Sequence, residues 1–169
     1  TVKRKDDRPT PLLYFSRNRA GVAYKGSPTL FASTNAVSYN LKGGIGLVAV
    51  GSFLNAGFTP KAGLQYHRQS KDFLFFGWMV ADLSRKGGID LFGMFRYTPP
   101  IETGWKGFTQ LELFPMLQTA SKSRTYTQRL RLGVKRTSWS TGLMYDLSVY
   151  RNTTSSNTWN LGLFFRQDF

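Results

Sequence analysis

Eight charged residues sit where charges are seldom found, in the middle of segments whose every second residue is apolar. They are Asp82, Asp90, Arg96, Glu112, Arg129, Arg131, Asp146 and Arg166, four acids and four arginines. Their spacing lets them meet. If residues 119–123 join neighbouring antiparallel strands, Glu112 comes opposite roughly Arg131. If Thr137 marks the next turn, Asp146 faces Arg129 at an offset of one or two positions. Opposed or diagonal partners on one face of a sheet are close enough to pair. Such a set can neutralise itself as a salt-bridged plug, since an unpaired buried ion is costly. It could instead relay protons or gate a pore; the plug is the preferred reading.

Acid–base catalysis has one weak candidate. His67 is the sole histidine, and Ser70 follows three residues later. On a strand that spacing puts the two on opposite faces, and no carboxylate is placed beside them by the sequence. One histidine and no cysteine argue against a transition-metal site. Lys42-Gly43-Gly44 and Lys86-Gly87-Gly88 read as hairpin turns, not phosphate loops. No metal and no cofactor are expected.

The elements that must hold these residues are strands. In residues 125–136 one face carries Tyr126, Gln128, Leu130, Leu132 and Val134, and the other Thr127, Arg129, Arg131, Gly133 and Lys135. In residues 138–151 Trp139, Leu143, Tyr145, Leu147 and Val149 share a face opposite Gly142, Met144, Asp146 and Ser148. In residues 157–169 Trp159, Leu161, Leu163, Phe165 and Phe169 alternate with Asn160, Gly162, Phe164 and Arg166. A period of two over such lengths means strands. A water-soluble sandwich would put the aliphatic face inside and the charges in water. A membrane barrel inverts that arrangement. On the inverted reading Phe76, Trp78, Phe92, Phe114 and Phe164 point inward with the charges and fill the lumen.

The end of the chain resembles the closing strand of Gram-negative outer-membrane β-barrel proteins: a terminal Phe169 preceded by Phe165, Leu163 and Leu161 at alternate positions. Gln167 departs from that pattern. The resemblance implies a closed antiparallel transmembrane β-barrel, an all-β up-and-down meander, with Phe169 as a signal read by the barrel-assembly machinery. It covers the strand pattern from about Gly44 onward. Counting back from the end gives eight strands beginning near Ile45, the preferred count. Residues 30–41 and 12–24 would raise it to ten, which keeps the even number usual for bacterial barrels. On the preferred reading residues 1–28 are a polar N-terminal extension and residues 29–169 the barrel.

Size and composition agree with this. A length of 169 residues suits one small barrel, which needs roughly 9–11 residues per tilted strand. Aromatics make up 15% of the chain, enough for interfacial girdles. Trp139 and Trp159, with Leu132, Leu147, Leu163 and Phe165, are expected to face lipid, the two tryptophans at opposite interfaces. The net charge of +14 suits contact with lipopolysaccharide and headgroup phosphates. No nucleic-acid-binding pattern is present. The expected localisation is the bacterial outer membrane, and the expected role is a structural or interaction subunit of a larger assembly, with protein partners. The rivals are a lipid A-modifying enzyme using His67, a narrow pore, and a soluble lipocalin-like barrel.

Overall fold

A computed structural model of the chain describes residues 11–21, 30–55, 57–84, 87–119, 122–152 and 155–168. These form one antiparallel sheet of eleven strands: β1 (Leu12–Gly21), β2 (Leu30–Asn40), β3 (Ile45–Leu54), β4 (Gly57–Gln69), β5 (Phe73–Asp82), β6 (Gly88–Tyr97), β7 (Pro100–Glu102), β8 (Trp105–Gln118), β9 (Ser123–Arg136), β10 (Trp139–Arg151) and β11 (Ser155–Gln167). The path is a meander in chain order, with β7 off it and paired only to the start of β8. Among the described residues no helix is long and apolar enough to cross a membrane.

The sheet reaches further toward the N-terminus than the preferred count of eight. Ten strands lie on its path, because both ambiguous segments are strands. β1 falls inside the stretch assigned to an extension, yet it pairs with β2 from Leu12↔Tyr39 to Gly21↔Leu30. Its alternation is weak because Leu12, Leu13, Tyr14 and Phe15 form an unbroken apolar run and Asn18 with its basic neighbours follows. Residues 1–10 and Phe169, the expected assembly signal, lie outside the described residues. Residues 55–60, which Asn55, Gly57 and Pro60 would mark as a loop by sequence, already contain the start of β4, where Pro60 pairs with Gly51 and its carbonyl accepts from the Leu83 N–H.

Alternation decides the two faces. One face buries Val48, Val50, Phe76, Trp78, Val80, Phe92, Phe108 and Phe164 together with Gln110, Glu112, Arg129 and Asp146. The other leaves Leu47, Leu64, Met79, Leu132, Leu143, Leu161 and Leu163 exposed, Leu163 to 80%. Charges therefore lie inside and aliphatic side chains outside. Aromatic residues crowd the strand ends on that outer face. Tyr39, Phe73, Tyr97, Trp105 and Trp139 are exposed at the end of the sheet shared by Pro11 and Asp168, here the terminal rim. Phe31, Phe53 and Phe58 are exposed near the far rim.

The sheet curls around its polar face. Phe15 of β1 and Phe76 of β5 are four strands apart along the sheet, which in a flat sheet is roughly 19 Å; their rings lie 5.8 Å apart. Phe108 of β8 and Phe164 of β11 lie 5.3 Å apart. The pairing is also steeply staggered. A row followed across the ladders from Leu13 passes Ser38, Val48, Gly63, Val80, Asp90, Met116, Thr125 and Tyr150 to Ser156. It enters at the terminal rim and leaves at the far rim. A climb of this kind is what tilted strands of a cylinder require. Among the described residues no ladder joins β1 to β11.

Glycines make room for the Phe108–Phe164 contact. Along one row Phe108 pairs with Gly133, Gly133 with Gly142, and Gly142 with Phe164. The two rings meet over the paired glycines. A Cβ on Gly142 would fall on the carbonyl oxygen of Leu132 and the Cα of Gly133. We expect Gly142→Val to destabilise the fold by about 1–3 kcal/mol, the usual range for overpacking, read as a lower urea midpoint. An unchanged midpoint would show that β9 and β10 do not approach this closely at the glycine pair.

Candidate functional site

Register brings the inner charges together. Arg129 on β9 lies directly across from Asp146 on β10 and from Glu112 on β8. Its guanidinium donates twice to Asp146, from Nε at 2.6 Å and Nη2 at 2.8 Å, and Nη1 approaches Glu112 Oε2 at 3.4 Å. A planar fork on a carboxylate is the strongest geometry such a pair has. Arg131 sits across from Gln110, so the expected Glu112–Arg131 opposition is displaced by one inner-face position. The contact survives as a diagonal: Arg131 Nη1 donates to Glu112 Oε1 at 2.7 Å. Asp146 meets Arg129 without the expected offset because the β9–β10 turn holds only Thr137 and Ser138.

Gln110 connects these pairs to the remaining arginines. It is 1% exposed. Its Oε1 accepts from Arg96 Nε at 2.8 Å and from Arg166 Nη1 at 3.3 Å, and its Nε2 donates to Glu112. Arg166 Nε donates to Asp168 at 2.7 Å, and Lys135 also donates to Asp168. One polar network thus runs from Asp146 through Arg129, Glu112, Gln110 and Arg166 to Lys135. Burial alone would raise the Asp168 carboxyl, but hydrogen bonds from Lys135 and Arg166 outweigh it and hold the group below its ordinary value.

Asp90 belongs to a different pair. It is buried against Lys61 on β4, whose ammonium donates to its carboxylate. Lys61 was missed because the supposed loop hid the start of β4. Extending the period from Gln65 through Gly63 would have put Lys61 inside. Asp82 stands apart from the network, near the far rim, where its Oδ1 accepts from the Ser84 N–H.

The aromatic filling is as expected for Phe76, Trp78, Phe92 and Phe164, all buried, with Phe114 half-buried beside Phe92 at 5.6 Å. Phe15 and Phe108 join them. A cavity of about 240 Å³ lies over Lys61 and Asp90. Another of about 550 Å³ is lined by Arg96, Gln110, Glu112, Arg131 and Arg166. Phe15 and Phe92 border both, so the aromatic cluster stands between them.

The outer-face residues are where alternation puts them. Leu132, Leu163, Phe165, Trp139 and Trp159 are exposed; Leu147 is half-buried on the same face. His67 is half-buried on the inner face, edge-on to Phe76 at 6.5 Å. Ser70 begins the turn to β5, where its N–H donates to Phe73. Among the described residues His67 makes no hydrogen bond to Ser70 or to a carboxylate, so the elements of a hydrolytic dyad are not assembled. Nor do the described residues hold a cluster of side chains suited to a metal. No family model, curated protein or solved structure matches the chain.

Removing one member of the buried pair separates plug from relay. Arg129→Leu leaves Asp146 without its fork, and we expect a loss of about 3–5 kcal/mol. Arg129→Leu with Asp146→Leu removes both charges, and we expect it to recover much of that loss in equilibrium unfolding. A double variant as unstable as the sum of the single ones would show that the charges do not act as a pair. Asp168→Asn should cost stability at neutral pH. The depressed carboxyl contributes fully above its unfolded value and loses that contribution as pH falls through its folded one, so the difference from the parent protein should close in acid.

Proposed function

We propose that the chain is an integral β-barrel of a bacterial outer membrane, closed between β1 and β11, whose packed interior makes it a structural and interaction subunit of a larger assembly and not a pore. The observation that carries this reading is the inversion of faces. Aliphatic side chains ring the outside between two sets of rim aromatics, and the arginines and carboxylates lie within. Water offers no reason to expose Leu161, Leu163 and Phe165 side by side while burying Arg129 and Asp146. Acyl chains do.

Other features support the same reading. Strands of 10–14 residues on the sheet path match what a tilted crossing needs, roughly 9–11 residues. Trp139 pairs with Gln167 and Trp159 with Leu147, eight register positions along the same hairpin. That is roughly 26 Å along the strands, close to the roughly 25 Å height of an outer-membrane apolar band. An even number of strands on the path leaves β1 and β11 antiparallel, ready to pair. Both edges border the larger cavity, through Phe15 and Ser16 on one side and Phe165 and Gln167 on the other.

Packing argues for a closed lumen. The aromatic cluster and the Arg129 network fill its middle, and the remaining space is divided between cavities. Short described connections, such as Thr137-Ser138 and residues 70–72, give little surface for a large independent ligand. Lipid, lipopolysaccharide phosphates and neighbouring subunits are the partners that the greasy wall and the net positive charge suit; assembly would use the barrel-assembly machinery.

Protein refolded into phospholipid vesicles should run faster on a denaturing gel unheated than boiled, resist external protease and show no steady conductance in planar bilayers. A chain that stays monodisperse without detergent would remove the membrane assignment. Steady ohmic current would remove the plug.

A further inference from the structure

The charges of the inner network do not cancel. Among the described residues, the ion pairs of Arg129, Arg131, Lys135 and Arg166 are with Glu112, Asp146 and Asp168, and Arg96 bonds to Gln110. Asp146 is taken by the Arg129 fork, Glu112 is shared by Arg129 and Arg131, and Asp168 by Lys135 and Arg166. Arg96 has no carboxylate within ion-pair distance among the described residues. It is held by the neutral Gln110 oxygen and lies over the Phe108 ring at 5.7 Å. The surplus is local. Arg96, Arg131 and Arg166 line the same cavity of about 550 Å³, with Gln110 and Glu112 on its wall.

That cavity adjoins a mouth. A second space of about 470 Å³ at the terminal rim is lined by Lys71, Lys106, Lys135 and Glu102, and Arg96 and Leu74 border both spaces. Arg96 therefore stands at the junction between a rim vestibule, where Lys106 pairs with Asp72 and Lys135 with Asp168, and an inner chamber with three guanidiniums. Planar forks around one cavity suit an oxyanion with several acceptor oxygens. Low-dielectric walls strengthen that attraction.

We propose that the chamber bounded by Arg96, Arg131 and Arg166 is a binding site for a phosphate-bearing anion entering from the terminal rim. The phosphate could be free or belong to a lipid headgroup; both offer the same oxygens. Binding supplies the missing counter-charge and leaves the aromatic plug in place, so it requires no through-channel.

Thermal unfolding in a neutral maltoside detergent tests this. Sodium phosphate, against sodium chloride at equal ionic strength, should raise the midpoint progressively with concentration. Dihexanoyl phosphatidylglycerol below its micelle concentration forms the lipid arm. Protection by phosphate alone assigns a free anion; protection by the lipid alone assigns a headgroup; protection by both supports the shared chemistry. Arg96→Gln should weaken the protective anion at least about tenfold, the scale of a lost charged hydrogen bond. Without anion it should fold as well as the parent, because no carboxylate loses a partner. Arg96→Lys, which keeps the charge, should retain part of the response. Arg136→Gln, on the outer face over Trp105, should leave it unchanged. No protection in either arm, or equal protection of the parent and Arg96→Gln, would overturn the site.

Discussion

A fully buried guanidinium is costly unless carboxylates meet it, and the strands around Arg129 are arranged to meet that demand. Arg129 can be buried only because Asp146 and Glu112 reach it from the two neighbouring strands. Those contacts hold at one register. A slip of one residue on β9 would send Arg129 to the outer face and bring Leu130 inside, since the side-chain period is two. The ion pairs therefore contribute most to choosing the pairing. Their contribution to net stability is smaller, because desolvation offsets much of the attraction between buried ions. The same register aligns Gly133 with Gly142 and lets Phe108 meet Phe164. Charge pairing and aromatic packing thus select one arrangement.

Much of this was legible in the sequence because alternation is a strong signal over long strands. The last three strands, their faces, and the meeting of Arg129 with Asp146 follow from period two and short turns. What escaped was set by features that weaken the period. Asn18 and the nearby arginines dilute β1, so it read as part of a tail. Gly57 and Pro60 resembled loop punctuation and concealed the inward Lys61, leaving Asp90 without its partner. Alternation puts Gln110 on the inward face with Glu112 but does not mark it as a hub. Nothing in a lone glutamine reveals that two arginines and a glutamate will converge on it; that depends on curvature, which brings β11 to β8.

Proline illustrates how the fold absorbs a local conflict. Pro115 lies within β8, where it removes a ladder donor. The β6–β8 pairing runs through Asp90↔Met116 and resumes at Gly93↔Leu113. The interruption falls opposite Pro115, while on the other side Pro115 pairs with Tyr126. The lapse costs little else, because Phe92 and Phe114 pack across it at 5.6 Å. Side-chain contact holds the strands together where the backbone cannot.

The interior divides into unlike halves. Toward the far rim the buried ions are matched, Lys61 with Asp90, and the space beside them is mostly bounded by rings and small polar groups. Toward the terminal rim guanidiniums outnumber carboxylates around a roomier chamber. If the charges served packing alone, the terminal half would not carry an arginine whose nearest partners are an amide oxygen and a ring. A leucine or methionine at position 96 would fill that volume without bringing a cation beside Arg131 and Arg166. Its presence raises repulsion in the region that opens to the terminal rim. A folded interior that accepts such repulsion while matching its other buried ions is organised for a negative charge that the described residues do not provide.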